Sequence, residues 1–555
     1  MKFLKKYSLL IGCLIVVLLN ILSANLFFRI DLTSDKRHSV SQPTKQLMAG
    51  LNQEVDVTIY LDGEMNSGFL RLKRSVAELL DELSIYAPEG INYSFTNPTS
   101  LPQEEQKRLM QLFAENGISP TTIYERNRDG KSVQRLLFPW LRISYGDKQQ
   151  WVSLLKNIKG NSGEENLNIS IESLEFQLTD AIRLLTQKEI QKIAFIEGHG
   201  ELSDYNTWDI SLALSRYFQI DRGVLGTDAS VLDDYKAIII AAPIQPFSEN
   251  DKYIIDQYIM RGGRVLWLID GVRLDENSLS TTGMSPTIPM DVNLTDMLFR
   301  YGVRVNPMIV QDQQCLLVPV NVASEGEPAH FEPMPWYFAP LLLTSPNHPV
   351  SRNLPQVTGT FVSCLDMVGE NENLRRDVLL ATSNATHIIS APAAINVEEI
   401  ELTPDYFNLA YVPVAVALDG VFPSLFAHRL MPQNITNAPA KLKESVPTKQ
   451  IVMASGSFIS NDIQDGQPLP VGYDRYTQTQ FGNRDFFINA LLYLTDDQGW
   501  INLRNKQLKI RLINKNIATN MRLPLQLINV GLPLLFLAIF GVVFFVIRRR
   551  VYTHR

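Results

Sequence analysis

Two long uncharged apolar runs lie near the ends of the chain, and the apolar positions between them recur with shorter periods. No charged residue occurs over the 22 positions from Tyr7 to Phe28, or over the 23 from Leu525 to Ile547. At about 1.5 Å rise per residue, either run as a helix crosses a hydrocarbon core of roughly 30 Å. Lys2, Lys5 and Lys6 precede the first run, and Arg548, Arg549 and Arg550 follow the second. Because positive residues stay on the cytoplasmic side, both ends are predicted to be cytoplasmic and the stretch between them extracytoplasmic. A signal peptide begins in the same way, but Leu22-Ser23-Ala24 is a poor cleavage site and the run is longer than a usual signal core. Leu10-Ile11-Gly12-Cys13 has the look of a lipobox, yet it lies only a few residues after Lys6 and the apolar run continues beyond it. A retained span is therefore expected.

After Arg29 a polar stretch leads into a predicted short helix, followed by Val55 to Leu61, alternating and β-branched, which reads as a strand. From Phe69 to Tyr86, residues Leu72, Val76, Leu79, Leu80 and Leu83 form the stripe of an amphipathic helix. A strand at INYSF and a helix over 104–116 repeat the alternation. A hairpin turning at Gly146-Asp147 and a helix from Ile171 to Thr186 close the region. Residues 29–188 are expected to form one small α/β domain.

From Lys192 the pattern changes to short, wholly apolar strands separated by helices. IAFI is followed by a helix over 208–218, AIIIAAP by a helix over 249–261, and Gly262-Gly263 leads into RVLWLID. Strands apolar on both faces and alternating with helices predict a parallel sheet covered on both sides, wound as in Rossmann or flavodoxin folds. Residues 275–350 show little periodicity. Later strands read at VLLAT, YVPVAVAL and QIVMASGSFI, with a helix over 485–494. The expected organisation is a tail 1–6, a span 7–28, an α/β domain 29–188, a doubly wound domain 189–500, a basic connector 501–524, a span 525–547 and a tail 548–555.

Charge and cysteine content narrow the partners. Of the 51 basic residues against 58 acidic ones, seven flank the two apolar runs, so the stretch between the runs carries about −14. That disfavours nucleic acid or an anionic lipid surface as its main partner. Cys13 lies in the first run, which leaves Cys315 and Cys364 either as a pair or as two free buried thiols. No CxxC occurs, so zinc-ribbon and thioredoxin-type chemistry is not indicated.

The sharpest constellation is Glu197-Gly198-His199-Gly200-Glu201, at a strand-to-helix junction where ligands of doubly wound sheets collect. Two carboxylates and an imidazole suit metal binding or proton transfer; a tight turn with glycines for geometry and polar side chains as caps explains the same residues. No second His or Cys lies near in sequence, which favours the turn. Asp129-Gly130-Lys131-Ser132 contains the end of a phosphate loop, but Glu125 stands where its first glycine belongs. Ser455-Gly456-Ser457 lacks the flanking glycines of a nucleophile elbow, and His348, His387 and His428 have no ligand spacing. No enzyme class, metal or cofactor is indicated.

RIDLTSDKRHSVS, IEGHGEL, DKYIIDQYIMRGGRVLWLID, NLTDMLFRYGVRVN and GNRDFFINALLYLTDD before LRNKQLKIRL, in this order over positions 29–511, resemble the GldG family. That family is the gliding-motility-associated component of a bacterial ABC transporter. The resemblance implies partnership with an ATPase subunit (GldA-like) and a permease subunit (GldF-like). It also implies a second domain with a glutamine-amidotransferase-like fold lacking the catalytic cysteine; the family has no established catalytic residues to carry over. An auxiliary subunit that binds substrate or couples the permease to envelope proteins is the leading expectation. An envelope scaffold and an enzyme using the Glu197–Glu201 turn are the alternatives. The two-span reading predicts that single cysteines placed near residues 100, 250 and 450 react with an impermeant thiol reagent in intact spheroplasts and that neither terminus does. Protection of those three sites would reverse the topology.

Overall fold

The structure, a computed structural model, describes residues 39–126, 132–158, 161–187, 189–324, 327–396, 403, 405–505 and 521–553. The first predicted span and residues 129–131 of the phosphate-loop-like segment lie outside the described residues. The chain divides into two compact units, one ending at Lys506 and one starting at Gln507.

The first unit opens with helix α1 (Gln42–Ala49), strand β1 (Val55–Ile59), helix α2 (Ser67–Tyr86), β2 (Ile91–Phe95), α3 (Gln103–Glu115) and a hairpin of β3 (Thr121–Arg126) and β4 (Ser132–Leu137). A second hairpin, β5 (Trp140–Tyr145) and β6 (Lys148–Ser153), turns through Gly146 at φ 57°. These elements build a four-stranded sheet in the order β2-β1-β5-β6, with β1 parallel to β2 and antiparallel to β5. Val55, Val57 and Ile59 are buried while Asp56 between them is exposed, the alternation of a one-sided sheet. Leu72, Val76, Leu80 and Leu83 form the buried stripe of α2, and the Asn66 side chain caps its start by accepting the Phe69 N–H.

Helix α4 (Gly163–Thr186) begins two turns before the apolar periodicity suggests. The cause is a capping box: the Ser162 hydroxyl accepts the Glu165 N–H, and the Glu165 carboxylate accepts the Ser162 N–H. Leu167, Leu174, Leu178, Ile182 and Leu185 are buried, but so are Asn166, Ser170, Glu175, Thr179 and Asp180, so α4 has little free face. It packs on α1, α2, β5 and β6 and on the segment Trp500–Asn505. Glu175 Oε1 accepts the Ser41 N–H at 2.7 Å and the Thr44 hydroxyl at 2.9 Å. Phe176 stacks on Trp500 at 5.2 Å between centroids, and the guanidinium groups of Arg183 and Arg504 lie over the Trp500 and Phe176 rings.

The large sheet draws on β7 (Gln191–Glu197), β8 (Phe218–Val224), β9 (Ala237–Ala241), β10 (Arg264–Leu268), β11 (Cys315–Asn321), β12 (Phe331–Thr344), β13 (Leu374–Ala381), β14 (Pro413–Gly420) and β15 (Thr448–Met453). Its order is β11-β12-β13-β14-β15-β10-β9-β7-β8, with the short strand Val357–Thr358 beside β12. Strands β8, β7, β9, β10 and β15 are parallel, in the flavodoxin-type order with the first strand between the second and third. Beyond β15 every pairing is antiparallel. The all-parallel expectation thus holds only for one half. β14 is buried on both faces, as a parallel strand would be, so its apolar run carries no sign of its direction.

Helix α5 (Trp208–Leu214) stops short of Phe218, which instead opens β8, an edge strand whose apolar alternation is limited to Phe218 and Ile220. Helix α6 (Glu249–Met260) lies between β9 and β10, and α7 (Asn483–Thr495) follows β15. In the core the wholly buried Trp267 donates its indole N–H to Gln450 Oε1 at 2.8 Å. Asp256, also wholly buried, accepts from the Tyr301 and Ser424 hydroxyls and the Leu425 N–H. Cys315 and Cys364 are free thiols.

The second unit contains helix α8 (Arg522–Thr553). Its residues Arg522–Arg550 are long and apolar enough to cross a membrane, which among the described residues is true of this helix alone. The run read from sequence, 525–547, lies wholly inside it.

If α4 organises the first unit through its packing, Phe176→Ala should lower stability by about 3 kcal/mol, the cost of emptying an aromatic core position. Leu70→Ala, on the exposed side of α2, should change it by less than about 0.5 kcal/mol. Urea unfolding of the full chain in detergent, followed by tryptophan fluorescence, measures both.

Candidate functional site

The parallel strands end on one edge of the sheet, and the first of these ends carries the Glu197–Glu201 turn. Gly198 and Gly200 have φ of 114° and 74°, a region that side chains disfavour. A Cβ on Gly200 would stand 2.4 Å from Ile244 Cγ1. The His199 carbonyl accepts the N–H groups of Ile244 and Gln245, which binds the turn to the segment after β9.

The polar side chains of the turn separate into two groups. Glu197 pairs with Arg222 at 2.7 Å, and Arg222 also donates to the Thr207 hydroxyl and the Leu202 carbonyl. His199 is buried, stacked on Phe247 at 3.6 Å, with Nδ1 3.0 Å from Glu201 Oε1 and Nε2 3.3 Å from Asp251 Oδ2. The second Glu201 oxygen accepts the His199 N–H at 2.7 Å. Asp251 is the third residue of α6 and closes a capping box with Ser248. Burial of the ring lowers its affinity for a proton, but hydrogen bonds and charge from Asp251 and Glu201 outweigh this and raise the His199 pKa from 6.5 to about 9. An imidazolium held between two carboxylates is a cross-link between the turn and α6. As a protonated ring it has no lone pair for a metal. Among the described residues, no group of three or more His, Cys, Asp or Glu side chains is arranged to hold a metal ion.

A cleft of about 600 Å³ opens beside the turn, at the ends of β9, β10 and β15. Leu202 and Ile244 contribute to its wall, Asp270 follows β10, and Ser455-Gly456-Ser457 follows β15. Leu316, Leu317 and Trp336 enter from the β11–β12 ribbon, with Phe361, Tyr473 and Tyr476 from loops. Asp270 Oδ1 accepts the Ser455 hydroxyl and the Gly456 N–H, each at 2.9 Å. Burial raises the Asp270 carboxyl pKa, opposed by those two hydrogen bonds. The Ser455 hydroxyl accepts the Ser457 N–H, and the Ser457 hydroxyl exchanges hydrogen bonds with the Thr360 backbone. Gly456 admits no side chain, because its Cβ would lie 2.2 Å from the Ala242 Cβ. The Ser455–Ser457 loop lines the cleft, but no histidine does, so a nucleophilic serine would have no imidazole base there.

Asp270 is the residue sequence reasoning passed over. The available signal was an acid directly after an apolar parallel strand, in RVLWLID. The scattered histidines do not converge: His348 is buried beside Tyr493 with its pKa lowered to about 4 by burial, and His387 stacks on Tyr406. His428 lines a separate, more open depression of about 700 Å³, whose Asp296 is already paired with Lys252 and Arg429.

A mixed α/β unit with a cleft at its strand ends is followed in sequence by a helix long and apolar enough to cross a membrane. The family described as an ABC-type uncharacterized transport system, an auxiliary component, matches residues 191–490, more than half of the chain, and the chain belongs to that family. Its role is transport-associated. A domain of unknown function matches residues 34–144. An uncharacterized protein of Borreliella burgdorferi is 18% identical over 538 residues, covering 94% of each chain. Among solved structures, the mmIFT52 N-terminal domain aligns over 56% of this chain and 99% of its own, at 16% identity and a TM-score of 0.32, too low to argue a fold from.

The His199 cross-link fixes a pH dependence. Its folded pKa is raised, so its contribution to stability is complete below about pH 6.5 and is lost as pH rises through about 9. Unfolding free energy should therefore fall by on the order of 3 kcal/mol across that window, and His199→Gln should remove the slope. Gly200→Val should destabilise at every pH through the positive φ and the Ile244 clash. Denaturant titrations at a series of pH values separate the two effects.

Proposed function

We propose that this chain is the substrate-binding or coupling subunit of a GldG-type ABC transporter, held by two spans with its α/β unit on the extracytoplasmic side. The observation that carries the reading is that the family match, residues 191–490, encloses the parallel half of the sheet and the strand-end loops that line the cleft. Two spans cannot enclose a translocation path, so the permease and the ATPase are separate chains, GldF-like and GldA-like in this reading. A catalytically inactive amidotransferase-like fold is consistent with the positions of the thiols. Cys315 starts the ribbon strand β11 and Cys364 starts the short strand Cys364–Met367, so neither follows a parallel strand. The reading includes no enzymatic activity of its own and a link to gliding motility in organisms that glide.

The test is purification of the tagged full chain from membranes in mild detergent, with mass-spectrometric identification of what accompanies it. Stoichiometric recovery of one ABC ATPase and one multi-span permease is expected. A preparation free of both, from cells that express them, would refute the transporter assignment and leave a scaffold.

A further inference from the structure

Among the described residues, the Asp270 carboxylate in the cleft is paired with no cationic side chain. Asp270 Oδ1 is occupied by Ser455 and Gly456, but Oδ2 accepts nothing among the described residues. Nor is Oδ2 sealed in the interior, since it is not among the buried polar atoms left without a partner. It therefore faces the cleft that Asp270 lines. No Lys, Arg or His among the described residues forms an ion pair with Asp270; its neighbours supply only neutral donors. A carboxylate so placed is poorly compensated, and a charged donor compensates it better than a neutral one.

The rest of the lining limits what that donor is attached to. Trp336, Phe361, Leu317 and Met290 give an apolar and aromatic wall, and the volume of about 600 Å³ falls in the range of small-molecule sites. A metal ion is not the missing cation: Asp462 and Asp474 also line the cleft, but among the described residues no group of three or more His, Cys, Asp or Glu side chains is arranged to hold a metal ion. The lining arginines, Arg273 and Arg475, are exposed and screened by water.

We propose that this cleft binds a primary ammonium group carried on an apolar or aromatic body, with Asp270 Oδ2 accepting its N–H bonds and Trp336 against its body. The proposal deepens the substrate-binding side of the function above, and its test needs no partner chain, so the two fail separately. Phenethylammonium and its neutral counterpart 2-phenylethanol are titrated by calorimetry into the full chain in detergent, with empty micelles as the blank. Saturable binding of one amine per chain is expected, at least about tenfold tighter than the alcohol. Asp270→Asn keeps the Oδ1 acceptor for Ser455 and Gly456 and should abolish the preference without changing Tm. Trp336→Ala should weaken both probes and leave the preference intact. Absence of saturable amine binding, equal affinity for the two probes, or a preference retained in a folded Asp270→Asn variant would each overturn the proposal. Should Asp270→Asn not fold, the comparison of the two probes on the unaltered chain decides alone.

Discussion

Helix α4 is packed on one side by the small sheet and its helices and on the other by the last described segment of the first unit, Trp500–Asn505. A helix with two buried sides cannot leave its polar groups to water, so each must be satisfied inside the fold. Glu175 does this with Ser41 and Thr44, and Asp180 with Arg183 and the Tyr217 hydroxyl. Ser41, Thr44 and Tyr217 come from different parts of the sequence: the stretch that follows the first apolar run, and the turn between α5 and β8. With Phe176 on Trp500, one helix holds both segments that lead toward the two apolar runs. The beginning and end of the first unit's described chain are thereby held against one helix.

The same economy explains where the cleft lies. In a doubly wound sheet the natural crevice is at the strand-order reversal, here between β7 and β9. That space is closed, because the His199 carbonyl bonds to the N–H groups after β9 and Leu202 donates to the Ala241 carbonyl. The imidazolium between Glu201 and Asp251 locks the closure to the start of α6. With the reversal point filled, the open space shifts along the strand ends to β9, β10 and β15, where Asp270 and Ser455 meet. The conspicuous turn supports the site, and its charges are spent within the protein.

Legibility in the sequence followed how far each residue's role depends on its near neighbours. The stripe of α2, the alternation of β1, the Gly146 turn and the apolar strands β7, β9 and β10 are local patterns, and each was readable. The glycines of the Glu197–Glu201 turn were readable as geometry for the same reason. What escaped depends on distant partners. The early start of α4 rests on a two-residue box, β8 is an edge strand marked only by Phe218 and Ile220, and β14 looks parallel because burial is blind to direction. Asp270 carried one local signal, an acid after an apolar strand, but the Ser455 hydroxyl that meets it comes from 185 positions away.

The antiparallel half of the sheet is the least legible part, and it completes the cleft. Strands β11 and β12 form a ribbon with exposed positions at Leu317, Val320, Phe331 and Met334, and its Leu316, Leu317 and Trp336 line the same cleft as Asp270. Proline at 319, 333 and 335 is tolerated because the ribbon lies at the edge of the sheet, where ladder donors are dispensable. The ends of β10 and β15 are walled by the ribbon together with Ile244, Phe361 and Tyr473. Burial raises the Asp270 carboxyl pKa, and a partly desolvated carboxylate gains more from a cationic partner than one in open water does. The weakly periodic middle of the chain thus supplies one wall of the cleft that Asp270 and Ser455 line.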